Sequence, residues 1–194
     1  MSLTVEKCLQ AWTNSLKQMK AKADIVFFGD SLTYKGDFSE VFPDKVVCNL
    51  GLRGDTIQGL INRVDQVKLL NPRKVFLMTG INDVASLTLA LFESQFDELL
   101  WILSEQLPSV EVIVQSLLPV NDTEFKISCN NEQIINRNTI IYNIATSKGL
   151  PFLDLFSLYA KEGGLPIEET FDGIHLFPEA YEKWKRELMS YNEV

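Results

Sequence analysis

The chain has 194 residues, 46% of them hydrophobic and 23% charged. That balance fills a sizeable core, argues against disorder and fits one domain spanning residues 1–194. Lys and Arg number 18 against 26 Asp and Glu, a net charge of −8, so the chain lacks the basic stripe that nucleic acid or an anionic membrane surface requires. Residues 5–22 read as a helix with a polar face. Ile25-Val26-Phe27-Phe28 is a short buried run, followed after a loop by Val46-Val47-Cys48-Asn49-Leu50. Across 56–68, Ile57, Leu60, Ile61, Val64 and Val67 fall at helical offsets and predict one helix with an apolar face. Val75-Phe76-Leu77-Met78 is a third buried run. Phe92, Phe96, Leu99, Leu100, Leu103 and Leu107 mark one face of the next helix, and Pro108 separates it from a fourth run at 110–114. Residues 132–147 predict a helix, with Gly149 suited to its cap. Pro151-Phe152-Leu153 is a fifth short strand. A last helix runs from about Pro178, with proline in its first turn, through Tyr181, Trp184 and Leu188.

Short apolar runs alternating with amphipathic helices predict βαβ units: a five-stranded parallel sheet, doubly wound and covered on both faces. Ligands of such a sheet sit outside the carboxyl ends of its strands. The polar loop at 117–130 is then a candidate rim of a site. The longest unbroken apolar run, 99–103, is far too short to span a membrane, so no membrane insertion is expected. No signal peptide opens the chain, which reads as cytoplasmic as it stands. Met1-Ser2-Leu3 is equally compatible with a cloning scar left where a periplasmic or secretory leader was trimmed. Cys8, Cys48 and Cys129 are odd in number and widely spaced. They indicate reduced, mostly buried thiols rather than a disulfide framework or a zinc knuckle.

The informative residues follow the strands. Gly29-Asp30-Ser31-Leu32-Thr33 follows the first, Asn49-Leu50-Gly51-Leu52-Arg53-Gly54-Asp55 the second, and Gly80-Ile81-Asn82-Asp83 the third. Asp172-Gly173-Ile174-His175 lies beyond the fifth, before the last helix. A parallel sheet brings these loops to one edge. His175 is the only histidine, and the carboxylate three residues upstream can orient one ring nitrogen and leave the other free. Ser31 stands where a following helix would aim free amides, Gly54 can offer an unhindered N–H, and the Asn82 amide can donate to an oxyanion. The plainer alternatives are that Ser31 is an N-cap, Gly51 and Gly54 form a tight turn, Asn82 and Asp172 cap turns, and His175 lies on the surface. A dinucleotide loop fits poorly, because the spacing is GxxGxxxxG rather than GxGxxG.

Together the four clusters resemble the SGNH hydrolases, the GDSL esterase/lipase family. The matching blocks are Gly-Asp-Ser-Leu at 29–32, Asn-x-Gly-x-x-Gly-Asp at 49–55, Gly-x-Asn-Asp at 80–83 and Asp-x-x-His at 172–175. Residues 49–63 and 171–181 are most similar to the branch of platelet-activating-factor acetylhydrolase catalytic subunits and related bacterial acylhydrolases. The resemblance implies a three-layer α/β/α, flavodoxin-like fold with no metal or organic cofactor. It implies Ser31 as nucleophile, His175 as general base and acid, and Asp172 as its orienting carboxylate. The backbone N–H groups of Ser31 and Gly54 with the Asn82 side chain would form the oxyanion hole, supported by Asp30, Asp83 and Arg53. Its implied substrate is a small-molecule carboxylic ester. With no lid or long insertion, a short acyl group such as acetyl on a carbohydrate or other soluble alcohol is expected. A lipid-directed acylhydrolase or lysophospholipase, a thioesterase, and an inactive sugar- or acyl-binding module are the alternatives. A homodimer is compatible with the sequence, which leaves the oligomeric state open. One departure stands out. Phe177-Pro178 follows Leu176 where relatives often carry a small polar cap, so Phe177 either lines the substrate pocket or packs as core.

Overall fold

A computed structural model of the protein describes residues 3–19 and 21–192; Met1, Ser2 and the side chain of Cys8 lie outside the description. Strands β1 (Ile25–Gly29), β2 (Val47–Gly51), β3 (Lys74–Met78), β4 (Glu111–Gln115) and β5 (Phe152–Leu153) form one parallel sheet in the order β2-β1-β3-β4-β5. β1 and β3 are buried along their whole length, as β-branched and aromatic runs covered on both faces must be. β5, at one edge, is only two residues long.

The helices are α1 (Leu3–Met19), α2 (Ser31–Lys35), α3 (Ile57–Ile61), α4 (Val64–Leu70), α5 (Leu89–Gln106), α6 (Asn131–Ser147), α7 (Leu155–Tyr159) and α8 (Tyr181–Leu188). Right-handed crossovers put α3–α4, α5 and α6 on one face of the sheet, and α1 packs against α4. The step from β1 back to β2 reverses direction, so the α2 segment and the C-terminal α8 cover the other face. The pleat sorts side chains between the two layers. Phe27 and Phe76 pair across β1 and β3 and stack at 4.8 Å. Phe38 lies 4.1 Å beyond Phe27, with Trp184 of α8 at 5.1 Å from Phe38. Their neighbours Phe28 and Leu77 face the opposite layer. The result is the expected three-layer α/β/α arrangement. No described helix is long and apolar enough to cross a membrane.

Two differences from the sequence expectation have a physical cause. The single helix expected across 56–68 is two, because the chain turns at Asn62 and Arg63. At that turn Arg63 points inward and is buried. Its Nε donates to Asp55 Oδ2 at 2.7 Å, Nη1 to the Leu50 carbonyl at 2.7 Å and Nη2 to the Gly29 carbonyl at 2.9 Å. The guanidinium also lies 4.5 Å over the Phe28 ring. Secondly, Pro178 opens a turn of 3-10 helix, Pro178–Ala180, and α8 proper begins at Tyr181. Of the thiols, Cys129 is buried, Cys48 is half-buried, and both are free.

Removing the Arg63 side chain leaves Asp55 as an unpaired buried charge and takes a donor from the carbonyls of Leu50 and Gly29. Arg63→Ala should therefore lower unfolding stability by about 3–5 kcal/mol, read as a shift in the urea midpoint with little change in slope.

Candidate active site

The strand order reverses between β1 and β3, which opens a crevice at their carboxyl ends. Ser31 emerges there as the first residue of α2. The turn into α2 is tight. A methyl group on Gly29 would collide with the Met78 carbonyl and the Thr33 side chain, so only glycine fits. Asp30 caps α2, its Oδ1 accepting from the Leu32 amide at 3.0 Å. Asn49 on β2 fixes the far end of the helix by donating to the carbonyls of Thr33 and Gly36, each at 2.8 Å. The Tyr181 hydroxyl donates to the Leu32 carbonyl at 2.8 Å, tying α8 to the same helix.

The imidazole arrives on a compact turn. Thr170 and Leu176 form an antiparallel bridge, and Phe177 donates its amide to the Glu169 carbonyl at 2.9 Å. Within the turn, Asp172 Oδ1 accepts from the amides of Ile174 (3.1 Å) and His175 (2.8 Å), leaving Oδ2 for His175 Nδ1 at 2.6 Å. The other ring nitrogen, Nε2, is 2.8 Å from Ser31 Oγ. Hydroxyl, imidazole and carboxylate thus stand in a hydrogen-bonded row, suited to passing a proton from oxygen to nitrogen. Burial pushes the Asp172 carboxyl up, but the amide and ring hydrogen bonds outweigh it and hold the group below its ordinary range.

The 117–130 loop, expected as a rim, braces this turn from behind. The Asn121 amide donates to the Gly173 carbonyl at 2.8 Å, its side chain donates to the Leu165 carbonyl at 2.9 Å, and Phe125 packs on Gly173. Asn121 and Thr170 lie outside every motif and carry no sequence signal of this role.

Gly54 and Asn82 meet through the residue between their loops. Gly54 has φ +71°, the left-handed region, and open space where a side chain would stand. Asn82 Nδ2 donates to the Asp55 carbonyl at 2.8 Å, which fixes the amide and leaves its second N–H for another acceptor. Asp83 Oδ2 accepts from the Ile57 amide at 3.1 Å and anchors the start of α3. Arg53 does not join this network. It is exposed, over the Tyr34 ring at 5.3 Å, and the arginine bonded into the strand ends is Arg63. Phe177 is not core. It is 36% exposed and tilts against Phe171 at 5.8 Å, and Phe171 in turn stacks on the His175 ring at 5.8 Å. A groove of about 520 Å3 between α6 and the β5–α7 segment, lined by Tyr142, Phe152 and Phe156 among others, contains none of these residues.

The model of the GDSL-like lipase/acylhydrolase family matches residues 27–183, and the chain belongs to that family, whose members hydrolyse esters. A solved Streptococcus pneumonia chain with a provisional platelet-activating-factor designation superposes with a TM-score of 0.82 at 23% identity, covering 99% of this chain and 100% of that one. An acetyl xylan esterase superposes with a TM-score of 0.70 at 22% identity, covering 84% and 97%. At these identities the likeness is one of fold. The N-acylneuraminate cytidylyltransferase of Streptococcus agalactiae is 24% identical over 160 residues, 82% of this chain. The match spans only 36% of that longer protein.

Beneath the surface row lie three carboxyls. Asp30 is fully buried with Oδ2 unpartnered among the described residues. Burial, reinforced by the charges of Asp55 and Asp83 and opposed by the Leu32 amide, raises its pKa to about 7. Burial likewise raises Asp83 to about 6. Between its ordinary value of 3.8 and about 7, Asp30 holds in the folded protein a proton that the unfolded chain has released. The stability this contributes is present below about pH 4 and is lost as pH rises through about 7. Asp30→Asn keeps the cap and removes the titration. The fall in urea-unfolding stability from pH 5 to pH 8 should therefore be smaller in this variant than in the parent.

Proposed function

We propose that this member of the GDSL-like lipase/acylhydrolase family hydrolyses carboxylic esters with a short acyl group, through a covalent intermediate on Ser31. The row from Ser31 Oγ through His175 to Asp172, at 2.8 and 2.6 Å, carries the reading. Ser31 Oγ attacks the ester carbonyl while His175 Nε2 takes its proton. Asp172, held ionised by its hydrogen bonds, fixes the tautomer and stabilises the imidazolium. The carbonyl oxygen becomes an oxyanion facing the Ser31 and Gly54 amides and the free Asn82 N–H. Collapse expels the alcohol, which takes the proton back from Nε2. Water then repeats the two steps on the acyl-enzyme, returning Ser31 and releasing the acid.

A short acyl group is favoured by the open space at Gly54, where nothing lies within 4 Å of a side-chain position. An O-acetyl ester of a carbohydrate or similar small alcohol fits an open cleft, and the acetyl xylan esterase shows the same fold carrying a protein named for such a substrate.

Ser31→Ala should lower kcat on p-nitrophenyl acetate by about 10⁴–10⁶ and abolish labelling by a fluorophosphonate probe. Near-parental turnover by this variant would overturn the scheme. Asn82→Ala should cost about 10²–10³ in kcat, the scale of one lost oxyanion donor. A series of p-nitrophenyl esters should peak at acetate or propionate; a rise toward long chains would move the substrate to lipids.

A further inference from the structure

Two cations stand beside the catalytic row, and the hydrolytic scheme uses neither. Lys35, the last residue of α2, is half-buried with Nζ 4.3 Å from the centroid of the Phe171 ring. Phe171 is the ring stacked on His175, within 13° of parallel. Ammonium, phenyl ring and imidazole therefore follow one another, ending at Ser31. Arg53 is exposed and precedes Gly54, with its guanidinium 5.3 Å over Tyr34, an exposed residue of α2. Among the described residues neither cation has a carboxylate within ion-pair distance, and each lies over an aromatic ring beside the site.

This placement differs from ordinary surface charge. An aromatic platform attracts a cation and orders its long side chain without using its N–H donors. The ammonium keeps its three donors and the guanidinium its five, all available to an incoming oxyanion. The nearby carboxyls do not compete for them. Asp30, Asp55 and Asp83 are buried, and Asp172 is held by two amides and the imidazole. In a chain of net charge −8, two cations without a carboxylate partner thus flank the site.

We propose that Lys35 and Arg53 select esters whose alcohol portion carries an anionic oxygen group, a carboxylate or a phosphate. The inference rests on the esterase reading above and adds a substrate class to it. Lys35 assigns the anion to the alcohol rather than the acyl group. It lies on the imidazole side, and the departing alcohol must pass Nε2 to collect its proton. Arg53, over the ring of Tyr34 next to Lys35 on α2, adds a second charge to the same anion. Both act on substrate binding and touch no reacting atom.

The test compares three acetates: 4-acetoxybenzoate, 4-acetoxyphenyl phosphate, and the neutral methyl 4-acetoxybenzoate. The readout is the ratio of kcat/KM for each anion to that for the neutral ester, measured on the parent protein, Lys35→Gln, Arg53→Gln, the double variant and Lys35→Arg. Each loss of charge should lower the ratio by about 2- to 5-fold, through KM, with Lys35→Gln the larger effect and Lys35→Arg close to the parent. Raising the salt to 0.5 M should draw the parent ratio toward that of the double variant. The benzoate and phosphate arms show which anion gains more. Hydrolysis of all three esters with a ratio that moves in neither the variants nor salt overturns this inference and leaves the esterase intact. Failure of the parent to hydrolyse any of them overturns both.

Discussion

The architecture of the site depends on one buried guanidinium. Two parallel strands run side by side, and the carbonyls of Gly29 and Leu50 near their ends each take a side-chain donor, Gly29 in addition to the Leu52 amide. Arg63 supplies both, and its third contact, to Asp55, fixes the loop that carries Gly54. A buried ion pair is seldom a large net source of stability, since desolvating the charges offsets much of their attraction. Its value here is geometric. The strand leading to Ser31, the neighbouring strand and the loop that carries Gly54 are tied to one planar group, with Phe28 as the floor beneath it.

The other half of the site is built locally. The hydroxyl and the imidazole meet across 144 residues, yet Asp172 and His175 need only three, because one carboxylate oxygen closes the turn and the other holds the ring. The turn does not float. Asn121 and Phe125 press on Gly173 from one side, and the Thr170 hydroxyl donates to the His175 carbonyl from within. Asp172 and His175 thus sit on a self-contained turn, and Ser31 on a capped helix anchored by Asn49 and Tyr181, so each side of the row is braced by its own hydrogen bonds.

Much of this was readable from residue order. Buried runs alternating with helical periodicity gave the five strands, and the loops expected to converge do so. The four clusters stand out in the sequence because they hold short polar residues and glycines in the loops beyond the strands. Arg63 was not visible, for a physical reason: on the helical pattern of 57–67 it occupies a polar position, where a charged side chain reads as solvated. Only in three dimensions do the Asp55 carboxylate and the Leu50 and Gly29 carbonyls meet it, and the turn that points it inward also splits the expected helix. Arg53, inside a motif, attracted the supporting role that Arg63 fills. The short α7 has a local signature in Asp154, which accepts from the Ser157 amide at 3.0 Å as an ordinary cap. The stacking of Phe171 on His175 had no sequence signature, because it depends on the path of the turn.

The two-residue length of β5 has an outcome unrelated to chemistry. A sheet edge is a row of unsatisfied backbone groups that an alien strand can copy, and a long flat edge invites chains to join into fibres. Here that side of the sheet breaks off after one step and bends away into a capped helix, which gives an intruding segment almost nothing to pair with.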